Sequence, residues 1–123
     1  MTVKRGAKID PALLLPIIKF DPQVVPNPRE VGVAVVKECG ESLKATGATL
    51  SYTSLEACIA AKVLVEGIRN AGKTLTPQSI VAGLESLGAY DTGGFVVTFG
   101  KGAHHGSKWT DLSILSCGGT FRH

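Results

Sequence analysis

Thr53-Ser54-Leu55-Glu56-Ala57-Cys58-Ile59-Ala60-Ala61-Lys62-Val63-Leu64-Val65-Glu66-Gly67-Ile68-Arg69-Asn70-Ala71-Gly72 is the stretch on which the fold of this chain turns. It opens on Thr-x-x-Glu, a spacing in which a cap side chain and a third-position carboxylate each satisfy a backbone N–H that the helix leaves free. No proline interrupts it, and Gly72 supplies a stop. The spacing predicts a helix from Ser54 to Ala71. Ala57, Ala61, Leu64, Val65 and Ile68 share one face, read as the core side, with Glu56, Lys62, Glu66, Arg69 and Asn70 opposite. Leu55, Ile59 and Val63 intrude among the charged residues, so the apolar arc is wider than a two-layer domain requires. That flank needs a cover of its own, from the N-terminal segment or from a second copy of the chain.

Upstream, Asn27-Pro28-Arg29-Glu30 predicts a helix start, with Asn27 as N-cap and Pro28 at the first helical position. Val31, Val35, Val36, Cys39 and Leu43 would face the core, and the helix would run from Pro28 to Thr46 before Gly47. Downstream, Thr76-Pro77 repeats the device for a third helix from Pro77 to Leu87, with Ile80, Leu84 and Leu87 inward. After Gly93-Gly94 the apolar period changes to two. Strands are expected at Phe95 to Phe99, at Trp109 to Ser116 and at Thr120 to Arg122, the last two joined by a Gly118-Gly119 hairpin turn. Five of the six prolines fall between Pro11 and Pro28. Residues 1–26 therefore read as a proline-rich extended segment with one edge or broken strand over Leu13 to Phe20, and residues 27–123 as an α/β domain.

The composition narrows the function classes. At 123 residues and 44% hydrophobic, the chain suits one ordinary domain and is too apolar for disorder. A net charge of +3, with seven aromatics and one short basic run at Lys4, Arg5 and Lys8, lacks the patch of a nucleic-acid binder. Cys39, Cys58 and Cys117 are odd in number and have no CxxC spacing, so they read as reduced, buried thiols. The basic start and the apolar Leu13 to Ile18 imitate a signal peptide, but Asp10, Pro11 and Pro16 interrupt it and no small-x-small cleavage site follows. As written, the chain reads as soluble, compatible with the cytoplasm, without an export address or a membrane-inserting run.

No enzyme motif is complete. Gly100-Lys101-Gly102-Ala103-His104-His105-Gly106-Ser107-Lys108 has neither P-loop nor Rossmann spacing and leads into a strand, so it reads as a solvated loop. Neighbouring His104 and His105 point to opposite sides of an extended chain, and neither they nor Cys117 and His123 show metal-ligand spacing. Ser107, His105 and Asp111 are close in sequence without being a triad, and GxSxG is absent. Neither a metal nor a cofactor is expected. Tyr52, ahead of the long helix, is placed where helix N–H groups favour a carboxylate and a ring can stack on a small ligand; a half-buried ring closing the turn fits equally.

Beyond these local signals, several stretches resemble a known family in order and spacing. They are Gln23-Val24-Val25-Pro26-Asn27-Pro28, Tyr52-Thr53-Ser54-Leu55-Glu56-Ala57 with Ala60 to Gly67, Leu84-Glu85-Ser86-Leu87, Asp91-Thr92-Gly93-Gly94-Phe95, Thr98-Phe99 and His105 to Leu112. Together they are similar to the C-terminal portion of the branched-chain amino-acid ABC-transporter substrate-binding proteins, the type I periplasmic binding proteins. The resemblance implies an incomplete Rossmann-like α/β sandwich of three helices and about four strands, part of one lobe plus the last hinge strand. It implies a periplasmic setting, an amino-acid ligand, an ABC permease as partner, and Tyr52 as the one ligand residue to carry over. The chain departs from the family at Leu15 to Pro22, where an apolar hinge strand is expected, and Met1 to Ala12 matches nothing in it.

Two functions follow as expectations. One is a truncated solute-binding component of an ABC importer for branched-chain amino acids or similar molecules, binding little by itself. The other is a structural or interaction domain, open to pairing as a homodimer, that has lost the ligand site. An enzyme built on His104, His105 or Ser107 ranks behind both.

Overall fold

Residues 19–115 and 121–122 are described, from a computed structural model. They form β1 (Lys19–Gln23), α1 (Ala34–Lys44), α2 (Tyr52–Asn70), α3 (Pro77–Glu85), β2 (Gly88–Asp91), β3 (Val96–Gly100), β4 (Ala103–Gly106), β5 (Asp111–Leu115) and β6 (Phe121–Arg122). The chain divides into two compact units, one spanning Val24–Thr110 and the other drawing on the sequence on both sides of it.

The smaller unit is an antiparallel sheet in the order β1-β5-β6, with Gln23 opposite Asp111 and Leu115 opposite both Lys19 and Phe121. β1 is an edge strand in that order, and an edge tolerates Pro22, which has no N–H to give a second neighbour. Of the strand expected over Leu13 to Phe20, Lys19 and Phe20 are found in β1, which continues to Gln23; Leu13 to Ile18 are outside the described part, as are Cys117 and the Gly118-Gly119 turn. The strand expected from Trp109 begins only at Asp111.

The larger unit packs three helices with the antiparallel meander β2-β3-β4. β2 and β4 are additions to the strands expected from the sequence. β2 is short, and β4 is the very segment read as a loop: its pairing to β3 supplies the hydrogen bonds that its polar sequence gives no hint of.

α1 starts at Ala34, six residues after Pro28, so the expected Asn27 cap is corrected. Asn27 instead closes a turn, its Oδ1 accepting the Arg29 N–H at 3.0 Å and its carbonyl accepting the Glu30 N–H at 2.9 Å. The N-cap is Val33, which has no side-chain acceptor; the Val35 N–H finds its acceptor in the Gly93 carbonyl at 2.9 Å. The cap is tertiary, and local sequence could not announce it. Gly93 is required there twice over, by its φ of +119° and because a Cβ would stand 3.0 Å from the Val35 nitrogen. Val31, expected in the core, is 75% exposed as a consequence of the later start.

α2 also starts elsewhere than expected. Ser51 is its N-cap, with Ser51 Oγ accepting the Ser54 N–H at 3.2 Å and Ser54 Oγ accepting the Ser51 N–H at 2.8 Å. Serine at the third position does what glutamate does in the more familiar box, so Thr53 and Glu56 are not the capping pair. Thr76 and Ser79 repeat this exchange at the start of α3.

The inward face of α2 is the reverse of the expected one. Leu55, Ile59, Val63 and Gly67 are buried, whereas Leu64 and Val65 are each 47% exposed. The buried stripe meets Val25, Val35, Val36, Cys39, Phe95 and Val97 in one core. Glycine decides which stripe goes in: α3 crosses α2 at Gly67 and Gly83, so closely that a Cβ on Gly83 would run into the Gly67 carbonyl and come within 2.8 Å of the Ala71 nitrogen. The flank at Leu55, Ile59 and Val63 is therefore covered within the larger unit and needs no second copy.

Cys39 and Cys58 are joined in a disulfide that ties α1 to α2, with Cα atoms 6.1 Å apart, which corrects their reading as reduced thiols. An ion pair between Lys62 and Glu38 links the same two helices.

Candidate functional site

Tyr52 is the first residue of α2, half-buried, its ring packed against the core. The exchange between Ser51 and Ser54 satisfies the Ser54 N–H, one of the helix's leading donors, and the Ser51 N–H just ahead of it.

A groove of about 420 Å³ runs alongside α2 in the larger unit. Buried Ile59 and Val63 of α2, with Val97 and Phe95, form its depth; Val24, Leu64 and Phe99 line it further out; Glu56, His105 and Ser107 are its polar members. Tyr52 is not among its lining residues. The groove exists because β4 folds back over β3: Gly106, with φ +73°, lets the strand pass so close to Phe99 that a Cβ would sit 3.1 Å from the ring. None of the apolar lining was singled out as a site. The signal in the sequence was the surplus of apolar residues around α2, but assigning the wrong stripe to the core hid which of them stay open.

The chemistry on offer is apolar contact. Ser107 Oγ accepts the Trp109 N–H at 2.9 Å, and Trp109 stands edge-on to Phe95 with ring centroids 6.0 Å apart. His104 turns away from the groove to pair with Glu85, Nε2 to Oε1 at 2.8 Å, while His105 lines it, as alternation along a strand requires. Asp111 belongs to the other unit, where its Oδ1 accepts the Leu112 N–H. Among the described residues no three His, Cys, Asp or Glu side chains gather as a metal site, and no helix is long and apolar enough to cross a membrane.

Among the described residues, the acid with a clear shift is Asp91, at the end of β2 where the turn to β3 begins. Its Oδ1 accepts the Gly93 N–H at 2.9 Å and the Gly94 N–H at 2.7 Å, which holds the carboxyl below its ordinary range. This turn is the one whose Gly93 carbonyl caps α1, so the charge supports the fold.

Neither a protein-family model nor a curated protein matches the sequence. Solved structures do. A substrate-binding periplasmic protein from Ralstonia solanacearum is 32% identical, with a TM-score of 0.71 over 83% of this chain. A possible leucine/isoleucine/valine-binding protein from Rhodopirellula baltica is 26% identical, with a TM-score of 0.78 over 89%. An extracellular ligand-binding receptor from Verminephrobacter eiseniae, 22% identical with a TM-score of 0.71, shares the fold. The chain spans 30% of the length of each. The resemblance read from Gln23 onwards is met by the structure, and the chain carries an α/β portion of the periplasmic substrate-binding protein fold.

Proposed function

We propose that the chain is the portion of a solute-binding component of an ABC importer, serving branched-chain amino acids or similar small molecules, and that alone it binds them weakly or not at all. The observation that carries this reading is the match at 26–32% identity over most of this chain but 30% of two binding proteins, one of them described as a possible leucine/isoleucine/valine-binding protein. A pocket that encloses most of a ligand needs walls on several sides, and an open half-site gives up the burial that makes such pockets tight. Tyr52 is the residue through which this portion would reach an amino-acid ligand, and an ABC permease is the partner of the assembled protein. The Cys39–Cys58 disulfide favours an oxidising compartment such as the periplasm, because cytosolic thiols are kept reduced.

The test is a thermal-shift panel of amino acids on the 123-residue chain. A site with a Kd of about 0.1 mM would add about 2.7 kcal/mol at about 10 mM ligand, enough to move the melting temperature by several degrees. No shift with leucine, isoleucine or valine is expected. A selective shift with these three would show that the portion holds a complete site.

A further inference from the structure

We propose that Cys58 is a site of reversible modification by low-molecular-weight thiols, which open the Cys39–Cys58 disulfide by bonding to the Cys58 sulfur. This goes beyond the proposed function, since neither a solute nor an importer enters into it.

The two halves of the disulfide differ in access. Cys39, on α1, is 0% exposed and sits in the core with Val35, Val36 and Leu55, themselves 0–2% exposed. Cys58, on α2, is only partly buried, and it lines a second groove, of about 470 Å³, where α1, α2 and β2 come together. Cys39 is not among the residues that line it. That volume falls within the range of small-molecule sites, roughly 300–1,000 Å³, so a thiol of tripeptide size has room beside Cys58. The groove is also neutral. Its charged members pair off, Lys62 with Glu38 and Arg69 with Glu66, so an anionic thiolate is not repelled.

The exchange balances without an oxidant. A thiolate attacks the Cys58 sulfur, a new S–S bond forms there, and the Cys39–Cys58 bond breaks with its electron pair passing to the Cys39 sulfur, which takes up a proton from solvent. One disulfide is consumed and one is formed. Attack on Cys39 would instead carry the reagent itself, charged, into a close-packed apolar interior. In the favoured direction the expelled Cys39 sulfur also emerges among apolar side chains, which makes the reaction slower than at an exposed disulfide but brings no reagent into the core. Access thus selects Cys58. The cap is reversible, because the Cys39 thiol left beside it can expel it and remake the disulfide.

The experiment uses the full 123-residue chain, with Cys117 blocked by iodoacetamide and reduced glutathione as the thiol. After incubation at about pH 8, where a free thiol is partly ionised, the mixture is quenched with acid, free thiols are labelled with a maleimide, and the cap is located by peptide mass spectrometry. Capping of Cys58 is expected to exceed that of Cys39 about tenfold or more, and the preference should vanish in denaturing urea, where both sulfurs are open. Ala61→Trp gives a second readout. Ala61 is exposed and lines the groove, so the bulky ring should slow capping about tenfold or more while the oxidised chain melts within about 2 °C of the parent. Capping mainly at Cys39, an even division between the two in the native chain, no native capping, or a rate that Ala61→Trp leaves unchanged would each overturn the proposal. No amino-acid ligand is present in any mixture, so these outcomes are independent of ligand binding.

Discussion

Asp91 is a single side chain on which two elements depend. Its carboxylate gathers the Gly93 and Gly94 N–H groups, and Gly93 in turn caps α1. A depressed carboxyl pKa contributes stability that is present above the unfolded value and is lost as pH falls through the folded one. The window therefore opens below about pH 4, where an unfolded aspartate begins to take up its proton. Asp91→Asn should lower the melting temperature at pH 7 and flatten its decline as pH falls below about 4; an unchanged acid limb in thermal melts would remove Asp91 from this role. Two glycines give opposite expectations at the same scale. Gly83→Ala should cost about 1–3 kcal/mol in urea unfolding, because its Cβ meets the backbone of α2. Gly40→Ala should gain up to about 1 kcal/mol, because its Cβ makes only an ordinary 3.7 Å contact with Leu50 and the helix loses a flexible residue. If both shift alike, the close crossing at Gly83 is not what holds α2 and α3 together.

Among the elements, α2 and α3 were legible because their signals are local: an unbroken run ending at a glycine for α2, whose cap is nonetheless Ser51 and not Thr53, and a cap with a proline at the first position for α3. α1 was legible in its middle but not at its start, since Asn27-Pro28 satisfies every local rule for a helix and the deciding bond, from Val35 to Gly93, crosses 58 residues. β4 was missed because Ala103-His104-His105-Gly106 has no apolar alternation and gains its order from pairing with β3. The disulfide was missed for a similar reason, as an odd cysteine count gives no pairing and only the packing of α1 on α2 brings Cys39 to Cys58. Closing a loop with a sequence separation of 19 should stabilise the fold by about 3 kcal/mol in the chain-entropy view. Reduction, or Cys39→Ser with Cys58→Ser, should lower the urea midpoint accordingly. Equal midpoints with and without reductant would mean that the core holds α1 unaided.

At the scale of the whole molecule, the sequence carried the family likeness through the order of its scattered stretches, and the structure bears out the α/β class and the partial lobe. The face of α2 was read in reverse, because two apolar stripes compete on one helix and composition alone does not choose between them. Gly67 and Gly83 make that choice by admitting α3, and the stripe left over, with Leu64 on it, becomes the open side of the groove. In the function proposed above, such a portion keeps its own core while leaving a ligand cleft unfinished. Isothermal titration calorimetry of leucine into the isolated 123-residue chain tests this most directly. No saturable heat is expected up to about millimolar concentrations, a free energy weaker than about −4 kcal/mol. A one-to-one isotherm with a micromolar Kd would contradict it, showing a complete binding site in a chain that spans 30% of its relatives.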